Sequence, residues 1–171
     1  MPNSEITPED REALLRNLRL CYWRTLNRLD ETMAGIDLTA RQFLFLKALE
    51  EDGPSNARKL CEVLFVTPAD VTGLSSRLER KGYVRRVRSV EDRRRVILEI
   101  TGPGRKALEQ ARRLRDRLVD SLISSMPFHD FRQMIDGLGT ILRTLSAEPT
   151  GRSRGEPHVS AARAGSAAGA A

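Results

Sequence analysis

The run VTGLSSRLERKGYVRRVRSVEDRRRVILEIT, Val71 to Thr101, decides the fold. It opens with a helical rhythm, Val71, Leu74 and Leu78 recurring at three and four residues on one apolar face, and Gly82 closes that helix. The two-residue rhythm of strands follows. Tyr83 to Arg88 is one strand and Val96 to Ile100 the other, with Val96, Leu98 and Ile100 on a shared face. Between them, Ser89 to Arg95 crowds three arginines directly behind two acids. A loop that merely rests in water does not need such crowding; one that holds cations in front of a rigid base does.

Upstream, Thr67-Pro68-Ala69-Asp70 is a helix-start signature: an N-cap threonine, a proline at the first helical position and an acid at the third. Before it, Ser55 is expected to cap a short helix through Leu60, Cys61 and Leu64. Two helices, about residues 55–64 and 67–81, joined by a very short turn make a helix-turn-helix, and the hairpin behind it makes a winged helix. Further out, Thr39 with Gln42 opens a helix whose core face is Phe43, Leu46 and Leu49 and which stops at Gly53-Pro54. A first helix starts at Thr7, carries a gapped stripe of Leu14, Leu18, Cys21, Leu29 and Met33, and is expected to end at Gly35.

Downstream, Thr101-Gly102-Pro103-Gly104 leads into a long helix with a stripe at Ala111, Leu114, Leu118 and Leu122, broken by Pro127. The last helix sets Phe128, Phe131, Ile135, Leu138, Leu142 and Leu145 alternately three and four apart, a heptad-like seam that wants a partner helix. From Glu148 the composition turns to Gly, Ala, Ser, Pro and Arg, and residues 148–171 are expected to be a disordered tail. The fold class is therefore mainly α with a small β-hairpin.

With 171 residues and 40% hydrophobic content, the chain can bury a core, and 5% aromatics make that core chiefly aliphatic. The net charge of +6 is local: Arg77 to Arg95 holds nine Lys or Arg against three Asp or Glu, the whole formal excess. A concentrated basic window suits nucleic acid or an anionic membrane surface. Two cysteines make no disulfide framework, no apolar run follows a basic start, and no stretch approaches membrane-spanning length, so a soluble cytoplasmic protein with no membrane partner is expected. Catalysis has little to stand on. His129 and His158 fall in no triad order, there is no phosphate loop, and no Cys/His spacing makes a metal site, so neither metal nor cofactor is expected.

Thr67 to Arg80 is expected to read the major groove: with Val71, Leu74 and Leu78 inward, Thr67 leads an outward face of Ala69, Asp70, Thr72, Gly73, Ser76, Arg77 and Arg80. Small and hydroxylic residues at the front with arginines behind suit a helix entering the major groove, whereas an ordinary solvated face would mix Glu and Lys. Asp70 has a plainer alternative, completing the Thr67 cap. At the hairpin tip, Arg93 and Arg94 suit the minor groove, with Asp92 as a carboxylate brace, against the alternative of a charged loop that stays in water. Ser55, Asn56 and Arg58, at the start of the third helix, are candidates for phosphate contact.

These residues resemble the MarR family of winged-helix transcription regulators, over roughly residues 8–146 and most sharply from Val71 to Gly104. The family's Asp-Arg-Arg wing motif falls on Asp92, Arg93 and Arg94; its Leu-Thr-x-x-Gly ending falls on Ile100, Thr101 and Gly104, with Ile in place of Leu. The resemblance implies a homodimer on a pseudo-palindromic operator in double-stranded DNA, usually a repressor, often released by a small-molecule effector or an oxidant. It divides the chain into an N-terminal dimerisation helix (1–36), a winged helix-turn-helix (37–101), C-terminal dimerisation helices (102–147) and the tail (148–171). Leu14, Leu18, Leu118, Leu122, Phe131, Ile135, Leu138 and Leu142 are the interface candidates. Some relatives sense hydroperoxides through a first-helix cysteine, which raises a redox role for Cys21; the reading preferred from the residues is a small buried member of an apolar stripe. Cys61 is expected to be inert. A winged helix that docks protein or RNA is the remaining alternative.

Overall fold

The described chain runs α1 (Pro8–Met33), α2 (Ala40–Glu51), α3 (Ala57–Leu64), α4 (Pro68–Arg80), β1 (Val84–Arg88), β2 (Val96–Ile100), α5 (Gly102–Ser124) and α6 (Phe128–Ala147), in a computed structural model that describes residues 6–88 and 95–147. The wing-tip residues Asp92, Arg93 and Arg94 and the tail 148–171 lie outside the described residues. The chain forms two units, Met1–Met126 and Pro127–Ala171.

Threonine starts four of the helices. Thr7, Thr39 and Thr67 each accept a hydrogen bond from the third helical N–H while that residue's side chain (Asp10, Gln42, Asp70) accepts from the threonine N–H. Such reciprocal caps satisfy donors that a helix start otherwise leaves without partners. Thr101 caps α5, its hydroxyl oxygen accepting from Gly104 N–H at 3.1 Å.

Two helix ends differ from expectation. The first helix stops at Met33, not Gly35; a 3-10 turn, Ala34–Ile36, follows, and the chain reverses through Asp37 in the left-handed region at φ 50°. Aspartate is among the few residues that visit this region readily. The third helix is capped by Asn56, whose side-chain oxygen accepts from Lys59 N–H at 2.9 Å, and not by Ser55. Ser55 is committed elsewhere: its N–H donates to Leu98 O at 3.1 Å and its carbonyl accepts from Leu98 N–H at 2.9 Å, so it pairs with β2 as an isolated bridge. β1 and β2 pair antiparallel from Val84 opposite Ile100 to Arg88 opposite Val96, so the first strand begins one residue later than expected. Tyr83 instead donates its N–H to Leu78 O at 2.9 Å, closing α4.

The core of the first unit is built around α2. Phe43, Leu46 and Leu49 are buried as expected, and so are Gln42, Phe45 and Ala48. A helix buried on so many sides follows from its neighbours, since α1, α3, α4, α5 and β2 all pack on it. The inner ends of α1 (Leu29, Met33) and α5 (Ala107, Leu108, Ala111) are buried in this unit, so its core extends beyond the winged helix. Arg112 of α5 also pairs with Glu50 of α2 at 2.5 Å. The outer ends differ: Leu14, Leu15 and Leu122 are exposed, Leu18 and Leu118 half-buried. Cys21 is exposed, which corrects the expectation of a buried stripe residue: burial in α1 is concentrated at Leu29 and Met33 near its C-terminal end. In the second unit, α6 buries none of its residues; Phe131 is half-buried and Ile135, Leu138 and Leu142 are exposed.

A cationic clasp fixes the end of α4. Lys81 Nζ donates to the Asp37 backbone carbonyl, lies 3.1 Å from the Asp37 carboxylate, and donates to Gln42 Oε1 at 3.3 Å. At the opposite margin, α5 starts against the hairpin: a Cβ built on Gly104 would lie 2.1 Å from Tyr83 O and 2.9 Å from an Ile100 side-chain carbon. Because backbone cannot yield as a side-chain tip can, Gly104→Ala is expected to destabilise the fold by about 1–3 kcal/mol. Chemical denaturation of the variant beside wild type measures this.

Candidate nucleic-acid interface

α4 presents the face the sequence described. Val71, Leu74 and Leu78 are buried, together with Ser75, and opposite them Ala69, Thr72, Arg77 and Arg80 are exposed while Asp70, Gly73 and Ser76 are half-exposed. Arg77 and Arg80 make no ion pair among the described residues, so their charge is available to an anion outside the chain. Gly73 has ordinary helical backbone and nothing within 4 Å of where a Cβ would be. No neighbour within the chain requires the glycine, and glycine inside a helix costs about 1 kcal/mol relative to alanine. The missing side chain instead leaves room for close approach of a surface from outside.

Thr67 and Asp70 are used differently from the groove-reading role. The Thr67 hydroxyl donates to Asp70 Oδ2 at 2.7 Å and accepts from Asp70 N–H at 3.2 Å, and Thr67 N–H donates to the same carboxylate oxygen at 3.1 Å. The Thr67 side-chain and backbone hydrogen bonds hold the Asp70 carboxyl below its ordinary range, with the Arg41 charge adding to the effect. Asp70 thus serves the cap, its plainer reading, and an ionised carboxylate would repel a phosphate.

Around the start of α3 the candidates separate. Arg58 projects with its side chain 90% exposed and pairs loosely with Glu62 at 3.2 Å. Asn56 is half-buried, its oxygen committed to the cap. Ser55 is 2% exposed and donates its hydroxyl to Gly53 O at 2.9 Å, so a phosphate cannot reach it; its pairing with β2 draws it inside. An open hollow of about 490 Å³ lined by Asn56, Ala57, Arg58, Arg95 and Val96 joins α3 to the base of the wing.

Sequence reasoning passed over Arg86. Its guanidinium reaches from β1 across to α4, with Nε 3.0 Å from Glu79 Oε2 and Nη2 3.0 Å from Ser75 Oγ and 3.2 Å from Ser76 Oγ. Its neighbour Arg85 pairs with Glu99 across the hairpin at 2.8 Å. The signal available was alternation: in a strand, adjacent residues face opposite sides, and Arg86 is on the side facing α4.

Cys61 is half-buried; burial raises its thiol pKa, with the Glu62 and Asp70 charges adding to the effect, so it stays protonated near neutrality. Among the described residues there is no group of side chains suited to a metal ion and no helix long and apolar enough to cross a membrane.

Two adjoining helices, α3 and α4, followed by an antiparallel hairpin rich in arginine make a winged helix-turn-helix, the class of a DNA-binding protein. The MarR family model matches residues 38–96. The "Uncharacterized HTH-type transcriptional regulator YpoP" of Bacillus subtilis is 31% identical over 100 residues, 58% of this chain and 68% of that protein. The "Organic hydroperoxide resistance transcriptional regulator" of the same organism is 29% identical over 110 residues, 64% of this chain and 74% of that one. Among solved structures, a variant of MarR from E. coli complexed with operator DNA matches at a TM-score of 0.70 and 25% identity, covering 76% of this chain and 94% of that one. The chain belongs to the MarR family and is a DNA-binding transcriptional regulator, not an enzyme.

The glycine reading has a direct test. Gly73→Ala is expected to raise stability by up to about 1 kcal/mol while weakening DNA binding; melting curves and a binding titration on the same preparation show whether the two move in opposite directions.

Proposed function

We propose that this regulator acts as a homodimer on a pseudo-palindromic operator, as a repressor released by a small-molecule effector. The observation that carries the reading is a pairing of unused surfaces. The outward face of α4 offers arginines and a close-approach glycine with no use inside the chain, and α6 offers an apolar seam of which nothing is buried. One surface suits DNA and the other suits a second copy. A two-fold dimer sets its two reading helices about 34 Å apart, one turn of duplex. In this reading Ala69, Thr72, Gly73, Ser76, Arg77 and Arg80 face the major groove and Arg58 the phosphates, while Arg93 and Arg94 work at the wing with Asp92 as brace. Leu14, Leu18, Leu118, Leu122, Phe131, Ile135, Leu138 and Leu142 form the interface.

A salt-dependent titration against the DNA flanking its own gene, with scrambled duplex as control, tests operator binding. A preference of roughly a thousandfold or more with a steep salt slope is expected; equal weak binding to this and every fragment of a genomic selection would refute it. Arg94→Ala should weaken operator binding by about 1–3 kcal/mol. Leu138→Asp with Leu142→Asp should shift sedimentation from dimer to monomer, and an unchanged dimer would place the interface elsewhere.

A thiol-sensing variant of this function is favoured by one observation, the exposure of Cys21 on α1, and by the name of the hydroperoxide-resistance relative. Peroxide treatment of wild type and Cys21→Ser separates the two triggers: release of DNA only by wild type supports the oxidant, retention by both excludes it.

A further inference from the structure

The three hydroxyls expected on the reading face of α4 do not carry equal information. An alcohol has one proton to donate, so a hydroxyl that spends it inside the chain can only accept from DNA. Thr67 spends its proton on Asp70 Oδ2 at 2.7 Å. Thr72 spends its proton on Pro68 O at 2.9 Å. Ser76 does not spend its own among the described residues.

Two neighbours keep it so. A serine inside a helix ordinarily turns its proton back to a carbonyl three or four residues earlier; among the described residues the Ser76 hydroxyl donates to neither Gly73 O nor, four residues back, Thr72 O. That oxygen already accepts the Ser76 N–H in the helical ladder and the Ser75 hydroxyl at 3.1 Å, which occupies both its lone pairs. From the other side Arg86 Nη2 donates to Ser76 Oγ at 3.2 Å, and a guanidinium has nothing to accept with. Arg86 is itself anchored, by Glu79 at 3.0 Å and by the 2%-exposed Ser75 at 3.0 Å. Ser76 lies three residues after Gly73 and four before Arg80, on the line where the close-approach gap and a free arginine also lie.

We propose that Arg86 is a positioning residue that fixes Ser76 as a hydrogen-bond donor directed out of α4, so that the helix reads an acceptor on the DNA at this point. The acceptor is a base-edge atom (guanine O6 or N7, adenine N7, thymine O4) or a phosphate oxygen. The inference rests on the DNA-reading function proposed above.

The test uses the full-length protein and a preferred duplex selected from a random pool. Ser76→Ala is expected to weaken binding to that duplex by roughly 5- to 100-fold. In an Arg86→Ala background the same change should matter much less, because the serine is then free to turn its proton elsewhere. Arg86→Lys, which keeps the charge beside Glu79 but loses the fork, is the second variant if Arg86→Ala fails to fold, and melting curves report folding. The source of the acceptor separates in two arms. If it is a base, the Ser76→Ala loss disappears on a duplex with one 7-deazapurine or one altered base pair, and is small on scrambled DNA. If it is a phosphate, a single methylphosphonate removes the loss, and scrambled DNA shows it equally. Wild-type affinity for Ser76→Ala, or the same loss with and without Arg86, overturns the inference while leaving the DNA-reading function standing. A wild type that prefers no duplex over another overturns that function and the inference with it.

Discussion

The hairpin, α4 and α5 are fastened at one junction. The Thr101 hydroxyl donates to Gly82 O at 2.6 Å, Thr101 N–H donates to Tyr83 O at 3.0 Å, and Tyr83 N–H donates to Leu78 O at 2.9 Å. Within two residues on each side, the end of α4, the start of β1, the end of β2 and the start of α5 are tied through backbone. The absence of a side chain at Gly104 lets α5 come down onto this knot. Three short bonds so close together leave little freedom, so the cationic hairpin and α4 are held in a set relation before any DNA arrives. Preorganisation of this kind reduces the ordering cost of binding.

Much of this was legible in the residues because it depends on neighbours in the chain. The threonine caps, the inward Val71, Leu74 and Leu78, the hairpin and the final helix are all set by spacings of two, three or four residues. What was missed depends on partners far away in sequence. Ser55 looked like a cap because serine commonly is one; only Leu98, on a strand across the fold, reveals that its backbone is needed for pairing. Arg86 was one arginine among many until α4 was placed beside β1. Cys21 sat in a stripe, but a stripe says which face is apolar, not how far along the helix the core extends. On the candidate site, the outward residues of α4 were readable, whereas the direction of each hydroxyl bond was not, since a proton's direction depends on every acceptor within reach.

The basic window is also sorted more finely than its charge suggests. Arg85 and Arg86 are spent on Glu99 and Glu79, bracing the hairpin internally and against α4. Arg77 and Arg80 make no such pair among the described residues and face outward. Exposed pairs contribute little to stability, so the worth of the spent arginines lies in geometry more than in free energy. Charge of one sign thus divides into structural and presented cations within a single short segment.

The Lys81 clasp makes α4 behave as a pointer. Three oxygens at the corner between α1 and α2 hold the C-terminal end of the helix, while its other end, 13 residues away, is the one that enters the groove in the function proposed above. At 1.5 Å per residue the pointer is about 20 Å long, so a tilt of about 3° at the pin sweeps the tip by about 1 Å. That is comparable to the tolerance of a hydrogen bond. Any disturbance that reaches the corner, from whichever direction, arrives at the DNA end multiplied by the length of the lever.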